Sequence, residues 1–200
     1  MRREAGMTVV ELLVAVTLFA IFLGGALSFY LVHQRAMARG QEKIEVHQNA
    51  RVALASVARE LRMAGYDPDG VIPEQSSPTA IQAADADTVT FLADVDVNGE
   101  LDRVTYRLAG TNLVRETASW NGSSFSAAAS SEVANGIVAL SFEYFDDATP
   151  ENESIRAPLS GADLERVRRV TLGLVAQRSS TADSDETFML RTDVTLRNLR

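Results

Sequence analysis

The hydrophobic and polar positions divide the chain into an apolar beginning, a helical middle and a strand-rich remainder. From Leu12 to Val32, 21 consecutive residues carry no charge. As a helix this segment would extend about 31 Å, which is enough to cross the hydrocarbon core of a bilayer. It is also longer than the apolar core of an ordinary secretory signal peptide. The pattern therefore predicts a transmembrane helix near the N-terminus.

The charges around this helix predict its orientation. Arg2 and Arg3 precede the apolar segment, and positive residues beside a membrane span favour the cytoplasmic side. Arg35, Arg39 and Lys43 follow the span and weaken this signal. We expect the residues after the span to lie outside the cytoplasm.

The helical pattern continues beyond the apolar segment. No proline occurs before Pro68, and apolar residues recur every three or four positions from Val46 to Ala64. This spacing places them on one face of a helix. Gly65 is a plausible C-cap, and the turn residues that follow it predict the end of the helix.

Alternating apolar and polar residues predict strands in the rest of the chain. The predicted strands are 88–93, 103–108, 112–116, 137–145, 166–175 and 188–197, and the predicted loops are 72–87, 120–135 and 146–162. Such alternation suits an antiparallel sheet with one covered face. The predicted fold class is therefore α+β, with a long N-terminal helix packed on a C-terminal antiparallel β-sheet.

Composition narrows the classes of function. The 200 residues include no cysteine and two histidines, with a formal net charge of −8. The lack of cysteine excludes disulfides and thiolate metal sites, and two histidines make a catalytic triad hard to assemble. An acidic chain repels phosphate backbones, so general nucleic-acid binding is not expected. We predict that the protein is not an enzyme.

Glu11 is the one charged residue in the mostly apolar stretch from Met7 to Val32. A carboxylate there costs about 2 to 3 kcal/mol. Taken alone, Glu11 either sits near the headgroups and is tolerated, or meets a positive charge when the protein assembles.

The residues around Glu11 resemble a known signal. The segment from Gly6 to Ala15, GMTVVELLVA, resembles the class III signal of type IV pilins and type II secretion pseudopilins, with Met7 in place of the usual Phe. The resemblance implies that a prepilin peptidase cleaves between Gly6 and Met7 and methylates the new N-terminus. It also implies that Glu11 pairs with the amine of a neighbouring subunit's Met7.

A second segment resembles one subgroup of this family. Residues 51–66, RVALASVARELRMAGY, are similar to a segment of PilW-type minor pilins, and J-type pseudopilins share a related version. The resemblance implies the type IV pilin fold, divided into a leader (1–6), a transmembrane and filament-core helix (7–32), its amphipathic continuation (33–65) and an exported β-rich domain (66–200).

The resemblance also implies a role and partners. The expected function is a minor pilin that helps initiate or cap pilus assembly near the filament tip. It would be anchored in the inner membrane with its C-terminal domain in the periplasm. Expected partners are the prepilin peptidase, other minor and major pilins, the inner-membrane assembly platform, and the lipid bilayer before assembly. The alternatives are a J-type minor pseudopilin of a type II secretion system and a single-pass receptor that binds a ligand or calcium.

One acidic segment is a candidate metal site. Asp94, Asp96, Asn98 and Asp102 follow the ligand order of a calcium-binding loop, with Gly99 at the sharp turn. Against calcium, the twelfth position is Thr105, where such a loop needs a bidentate Glu. The competing interpretation is a polar hairpin turn built on Asn98-Gly99.

Arginines near the C-terminus form a second cluster: Arg166, Arg168, Arg169, Arg191, Arg197 and Arg200. They predict either a basic patch for an acidic partner or incoming DNA, or a solvated strand face. In the second case, ion pairs with Asp163, Glu165 and Asp193 are expected. The solvated strand face is the favoured interpretation, because charged residues in proteins mostly lie at the surface.

Overall fold

The structure, a computed structural model, describes residues 7–70, 80–147, 153–177 and 186–198. One long helix precedes two antiparallel sheets. The elements in chain order are α1 (Val9–Arg62), β1 (Ile81–Ala84), β2 (Val89–Ala93), β3 (Asp102–Ala109), β4 (Asn112–Ser119), β5 (Ala129–Ala134), β6 (Ile137–Phe145), α2 (Ala162–Arg166), β7 (Arg169–Gln177) and β8 (Thr187–Thr195). The predicted α+β class with its long N-terminal helix is confirmed.

The chain divides into two compact units, of which the first ends at Ile44 and the second begins at Glu45. In the first unit, the helical residues from Val9 to Met37 are exposed. In the second unit, one hydrophobic cluster joins the last turns of α1 to residues from both sheets. The predicted stripe is confirmed there, since Ala50, Leu54, Val57 and the later stripe residues are buried, while Val46 is partly buried.

The helix ends three residues before the predicted limit. The Met63 and Ala64 amides donate to carbonyls only three residues back, which tightens the last turn. Gly65 then adopts a left-handed backbone with φ of 81°. Its N–H donates to the Leu92 carbonyl at 2.8 Å rather than to the helix. The chain thus leaves the helix already tied to β2.

The strands form two sheets, where a single sheet was predicted. The first has the order β1-β2-β3-β4-β5 and the second the order β6-β7-β8. β6 has the predicted limits, and its alternate residues Leu140, Phe142 and Tyr144 are buried.

Three short elements lie where loops or a strand were predicted. β1 and β5 fall inside the predicted loops 72–87 and 120–135. Both are rich in Ala, Ser or Gln, which favour strands little, and both are held by pairing with β2 and β4. α2 begins after Gly161 and ends at Arg166, so β7 starts at Arg169 rather than at the predicted Arg166.

Candidate processing and assembly site

The start of α1 is built around Thr8 and Glu11. Thr8 immediately precedes the first helical residue and stands in the N-cap position. The Glu11 N–H donates to the Thr8 hydroxyl oxygen at 3.3 Å. In return the Thr8 N–H and hydroxyl donate to Glu11 Oε2 at 3.2 and 3.3 Å. This reciprocal arrangement is a capping box, which satisfies amides that the first helical turn would leave unpaired.

The capping box was not predicted, although the pattern Thr-x-x-Glu stands in the sequence. It gives the Glu11 carboxylate a local role beyond the two interpretations first considered. Its donors on Thr8 are uncharged, however, so the negative charge of Glu11 is not neutralised by them. The Glu11 side chain is exposed, and a positive group from another chain can still approach it.

The residues around Glu11 are apolar and exposed. The segment Val9–Met37 has a mean hydropathy of 2.4 and none of its residues is buried. It is long and apolar enough to cross a membrane. Met7 is the predicted first residue after cleavage, and its side chain is 69% exposed. Gly6 and the rest of the predicted leader lie outside the described residues.

The predicted calcium segment, Asp94–Asp102, forms a turn between β2 and β3, which we name the acidic turn. The two oxygens of the Asp94 carboxylate accept the backbone N–H groups of Asn98 and Gly99, at 3.1 and 3.0 Å. The Asn98 side-chain amide donates to the Asp96 carboxylate at 2.9 Å. Three of the four predicted metal ligands, Asp94, Asp96 and Asn98, therefore form hydrogen bonds within the turn.

The far end of the acidic turn enters β3. Asp102 is buried and accepts a hydrogen bond from the Ser119 hydroxyl at 2.6 Å. Burial raises the pKa of Asp102, and the Ser119 hydrogen bond partly opposes that rise. Thr105, at the twelfth position, shares a hydrogen bond with Thr90 instead. Among the described residues, no three His, Cys, Asp or Glu side chains are placed to hold a metal. Calcium binding stays a prediction that titration with Ca²⁺ would test.

The C-terminal arginines lie among acidic and aromatic neighbours. Arg166 pairs with Asp146 and Asp163, Arg191 pairs with Glu143 at 2.7 Å, and Arg169 lies 3.9 Å from Asp193 and over the Phe145 ring. Arg168 donates to the backbone carbonyl of Glu165. Arg169 and Arg191 lie on β7 and β8 with partners typical of a solvated strand face, whereas Arg166 lies in α2, and Arg197 follows β8 and is exposed. Arg200 lies outside the described residues.

A partly buried ion pair between α1 and β4 was missed by sequence reasoning. Arg115 Nε on β4 donates to Glu60 Oε2 at 2.8 Å, and the Tyr106 hydroxyl donates to the same oxygen at 2.8 Å. The Glu60 and Arg115 side chains are 12% and 24% exposed. Burial, together with the neighbouring Glu60 charge, raises the pKa of Tyr106. Nothing in the local pattern of the sequence indicated that Glu60 has a partner 55 residues away.

Comparisons with known proteins agree with this geometry. The model of the prokaryotic N-terminal methylation motif matches residues 1–27. Thirteen chains of known structure match the fold. One is a type IV-like pilin from Thermus thermophilus, with a TM-score of 0.54 and 15% identity over 78% of this chain and 98% of that chain. No curated protein gives a significant sequence match.

The motif and the fold define the class together. The motif model covers the start of the chain, and the structural likeness covers most of the remainder at the level of the fold. The chain carries the prokaryotic N-terminal methylation motif, and its fold is like that of a type IV-like pilin. The recognition made from Gly6 to Ala15 is thereby confirmed, while the PilW-type assignment stays a prediction.

Proposed function

We propose that this chain is a minor type IV pilin, a non-catalytic structural subunit that helps initiate or cap pilus assembly near the filament tip. A prepilin peptidase would remove residues 1–6 and methylate Met7. The observation that carries the proposal is Glu11. It is an exposed carboxylate at the start of an exposed apolar helix, at the fifth position after the proposed cleavage point.

The chemistry of assembly follows from this placement. Cleavage after Gly6 creates a positively charged amine on Met7, one residue before the cap. The side-chain partners that the structure gives Glu11 belong to Thr8 and are neutral. An amine from a neighbouring subunit would supply the missing positive charge and offset the cost of placing a carboxylate among apolar groups. The same pairing would set the axial register between neighbouring subunits.

The proposed location follows from the same segment. Before assembly the apolar helix would anchor the chain in the inner membrane, with Arg2 and Arg3 on the cytoplasmic side. The β-rich part would then lie in the periplasm, where other minor and major pilins meet the subunit. The inner-membrane assembly platform would take subunits for the filament from those anchored in the membrane.

The deciding experiment is the intact mass and N-terminal sequence of the full chain from membranes with and without the matching prepilin peptidase. We expect an N-terminus at Met7 only when the peptidase is present, with the added mass of a methyl group. A chain that begins at Met1 in both cases would contradict the proposal and favour the single-pass receptor. In that case Glu11→Ala would leave function intact.

A J-type minor pseudopilin of a type II secretion system would share the processing and the fold. The two roles separate in a deletion strain, measured for pili and for secreted protein side by side. Loss of pili with normal secretion supports the minor pilin, and the reverse result supports the pseudopilin.

A further inference from the structure

The outward side of the first sheet carries a polar groove. Along β3, Val104 and Tyr106 face the core, so the alternate residues Arg103 and Thr105 project from the opposite side of the sheet. The groove has a volume of about 370 Å³, within the range of about 300 to 1,000 Å³ that is usual for small-molecule sites. We name it the outer groove, and six of the residues that line it are Thr90, Arg103, Thr105, Glu116, Ala118 and Ala128.

The floor of the outer groove is a small residue between longer ones. Ala118 lies opposite Arg103 in the pairing of β3 with β4, and Glu116 lies opposite Thr105. Arg115 reaches Glu60 on the core side, so Glu116 and Ala118 both face outward. Ala118 is nevertheless 2% exposed, because the longer side chains around it rise above its methyl group. The result is a depression with an apolar floor and polar sides.

Arg103 places a positive charge in the outer groove. Among the described residues, no ion pair or side-chain hydrogen bond involves Arg103. Its guanidinium lies 4.5 Å from the centre of the Phe125 ring, and Phe125 meets Trp120 edge to face at 5.1 Å between ring centres. The aromatic ring supports one face of the guanidinium. The N–H donors lie in the guanidinium plane, so this contact leaves them free to bind a ligand.

The other polar groups of the outer groove also have hydrogen-bonding capacity to spare. The Thr90 and Thr105 hydroxyl oxygens are 2.9 Å apart, and one proton serves that hydrogen bond, so the second hydroxyl proton can be donated elsewhere. Arg107 donates through Nε and Nη2 to Glu116 Oε1. Glu116 Oε2 can therefore accept a hydrogen bond from a ligand. A cation, a hydroxyl donor and a carboxylate acceptor thus line one depression.

We propose that the outer groove binds a saccharide that carries a carboxylate, of the uronic acid class. The hydroxyls of a sugar both donate and accept, so they match the threonine hydroxyls and Glu116 Oε2. Its carboxylate would pair with the Arg103 guanidinium through two parallel hydrogen bonds. The C–H face of its ring would lie against Ala118. Because Arg107 neutralises Glu116, the charge of Arg103 remains for one negative group.

The charges of the chain argue against other classes of ligand. Residues 66–200 contain 22 Asp and Glu residues and 11 Lys and Arg residues, so nucleic acids and other polyanions are repelled. An apolar ligand would leave the polar sides of the groove without hydrogen bonds, which is costly. The groove belongs to a single chain, so this inference goes beyond the proposed function and does not depend on it.

The test is ligand binding by the full chain in mild detergent, measured by saturation-transfer NMR. The probes are the methyl glycosides of galacturonate and glucuronate, which differ at one hydroxyl. We expect the better of the two to bind with a dissociation constant of about 1 mM, as is usual for a ligand of this size. The methyl ester of the same probe has nearly the same shape but no charge, and it should bind at least about tenfold more weakly. Acetate at the same concentration should not displace the probe.

Two pairs of variants locate the site. Arg103→Gln should weaken binding at least about tenfold, whereas Arg156→Gln, at another exposed arginine, should have no effect. Ala128→Leu narrows the outer groove and should weaken binding about fivefold or more, while Ala127→Leu, at the exposed neighbour outside the lining, should not. Arg103 and Ala128 are exposed, so these variants should keep the urea midpoint of the parent chain.

The results divide cleanly. Weaker binding of the ester together with the losses in Arg103→Gln and Ala128→Leu would support the acidic-saccharide site. The proposal is overturned if neither probe binds, if the acid and its ester bind equally, or if acetate displaces the probe. It is likewise overturned if Arg103→Gln and Arg156→Gln behave alike. Processing at Met7 is measured separately, so the proposed function and this site can fail independently.

Discussion

Replacement of Glu60 by Ala should destabilise the second unit far more than any loss of a surface charge. The substitution leaves Arg115, which is 24% exposed, without its ionic partner and with only its hydrogen bond to the Thr117 hydroxyl, and it leaves the buried Tyr106 hydroxyl without its acceptor. Removal of one partner from a fully buried ion pair costs about 3 to 5 kcal/mol. Because Arg115 retains some contact with water, we expect about 3 kcal/mol for Glu60→Ala.

Urea unfolding of the full chain in mild detergent measures this loss. Trp120 is the chain's one tryptophan and directly follows β4, so its fluorescence reports on the second unit. With a slope of about 2 kcal/mol per molar urea, the midpoint should fall by about 1.5 M. Glu60→Gln keeps an acceptor for one donor and should cost about half as much. The coupling between Glu60 and Arg115 in a double-mutant cycle should be about 2 kcal/mol.

The matched control is the ion pair of Arg107 on β3 and Glu116 on β4, the strands that also carry Tyr106 and Arg115. Their side chains are 41% and 26% exposed, so Glu116→Ala should cost about 0.5 kcal/mol or less. Equal shifts of the midpoint for Glu60→Ala and Glu116→Ala would refute the reasoning. They would mean that burial under the helix adds nothing to the pair.

Three further predictions follow from local contacts. Thr8→Ala should weaken the helix start by about 1 kcal/mol, seen as faster hydrogen exchange in the first turn, whereas Thr8→Ser should not. Ser119→Ala should raise the pKa of Asp102 further above its ordinary value of 3.8. Protonation of a group whose pKa is raised by folding favours the folded state, so the stability from Asp102 should grow as pH falls through its folded pKa and be lost as pH rises. An unchanged pKa in an NMR titration would contradict this. Gly99→Ala should cost about 1 to 2 kcal/mol in urea unfolding, because φ is 87° there and a Cβ would lie 2.8 Å from an Asp69 oxygen.

The parts of the fold that follow a strong period could be predicted from the sequence. β6 alternates between buried and outward residues with strongly strand-forming side chains, and its limits were predicted correctly. The stripe from Ala50 to Ala64 repeats at helical spacing and is buried as predicted. In both cases the local preference and the final packing agree, so the sequence pattern alone was sufficient.

The missed features depend on contacts between distant parts of the chain. β1 has the sequence IQAA, which has little strand preference of its own and becomes a strand through pairing with β2. The partner of Glu60 on β4 lies far away in sequence. The capping box at Thr8 is different, because it depends on a local pattern, Thr-x-x-Glu, that is present in the sequence. It could therefore have been predicted.

Because the chain divides at Ile44 and Glu45, substitutions in the two units should impair the protein in different ways. Among the α1 side chains that the structure describes, those buried in the core lie between Ala50 and Leu61, within the second unit. The described side chains from Val9 to Met37 are exposed, so a substitution there removes no buried side chain. Such a variant should accumulate to normal levels, escape the proteases that remove unfolded chains, and still be inactive. Genetic screens that score protein abundance would pass over these variants, whereas screens that score function would find them.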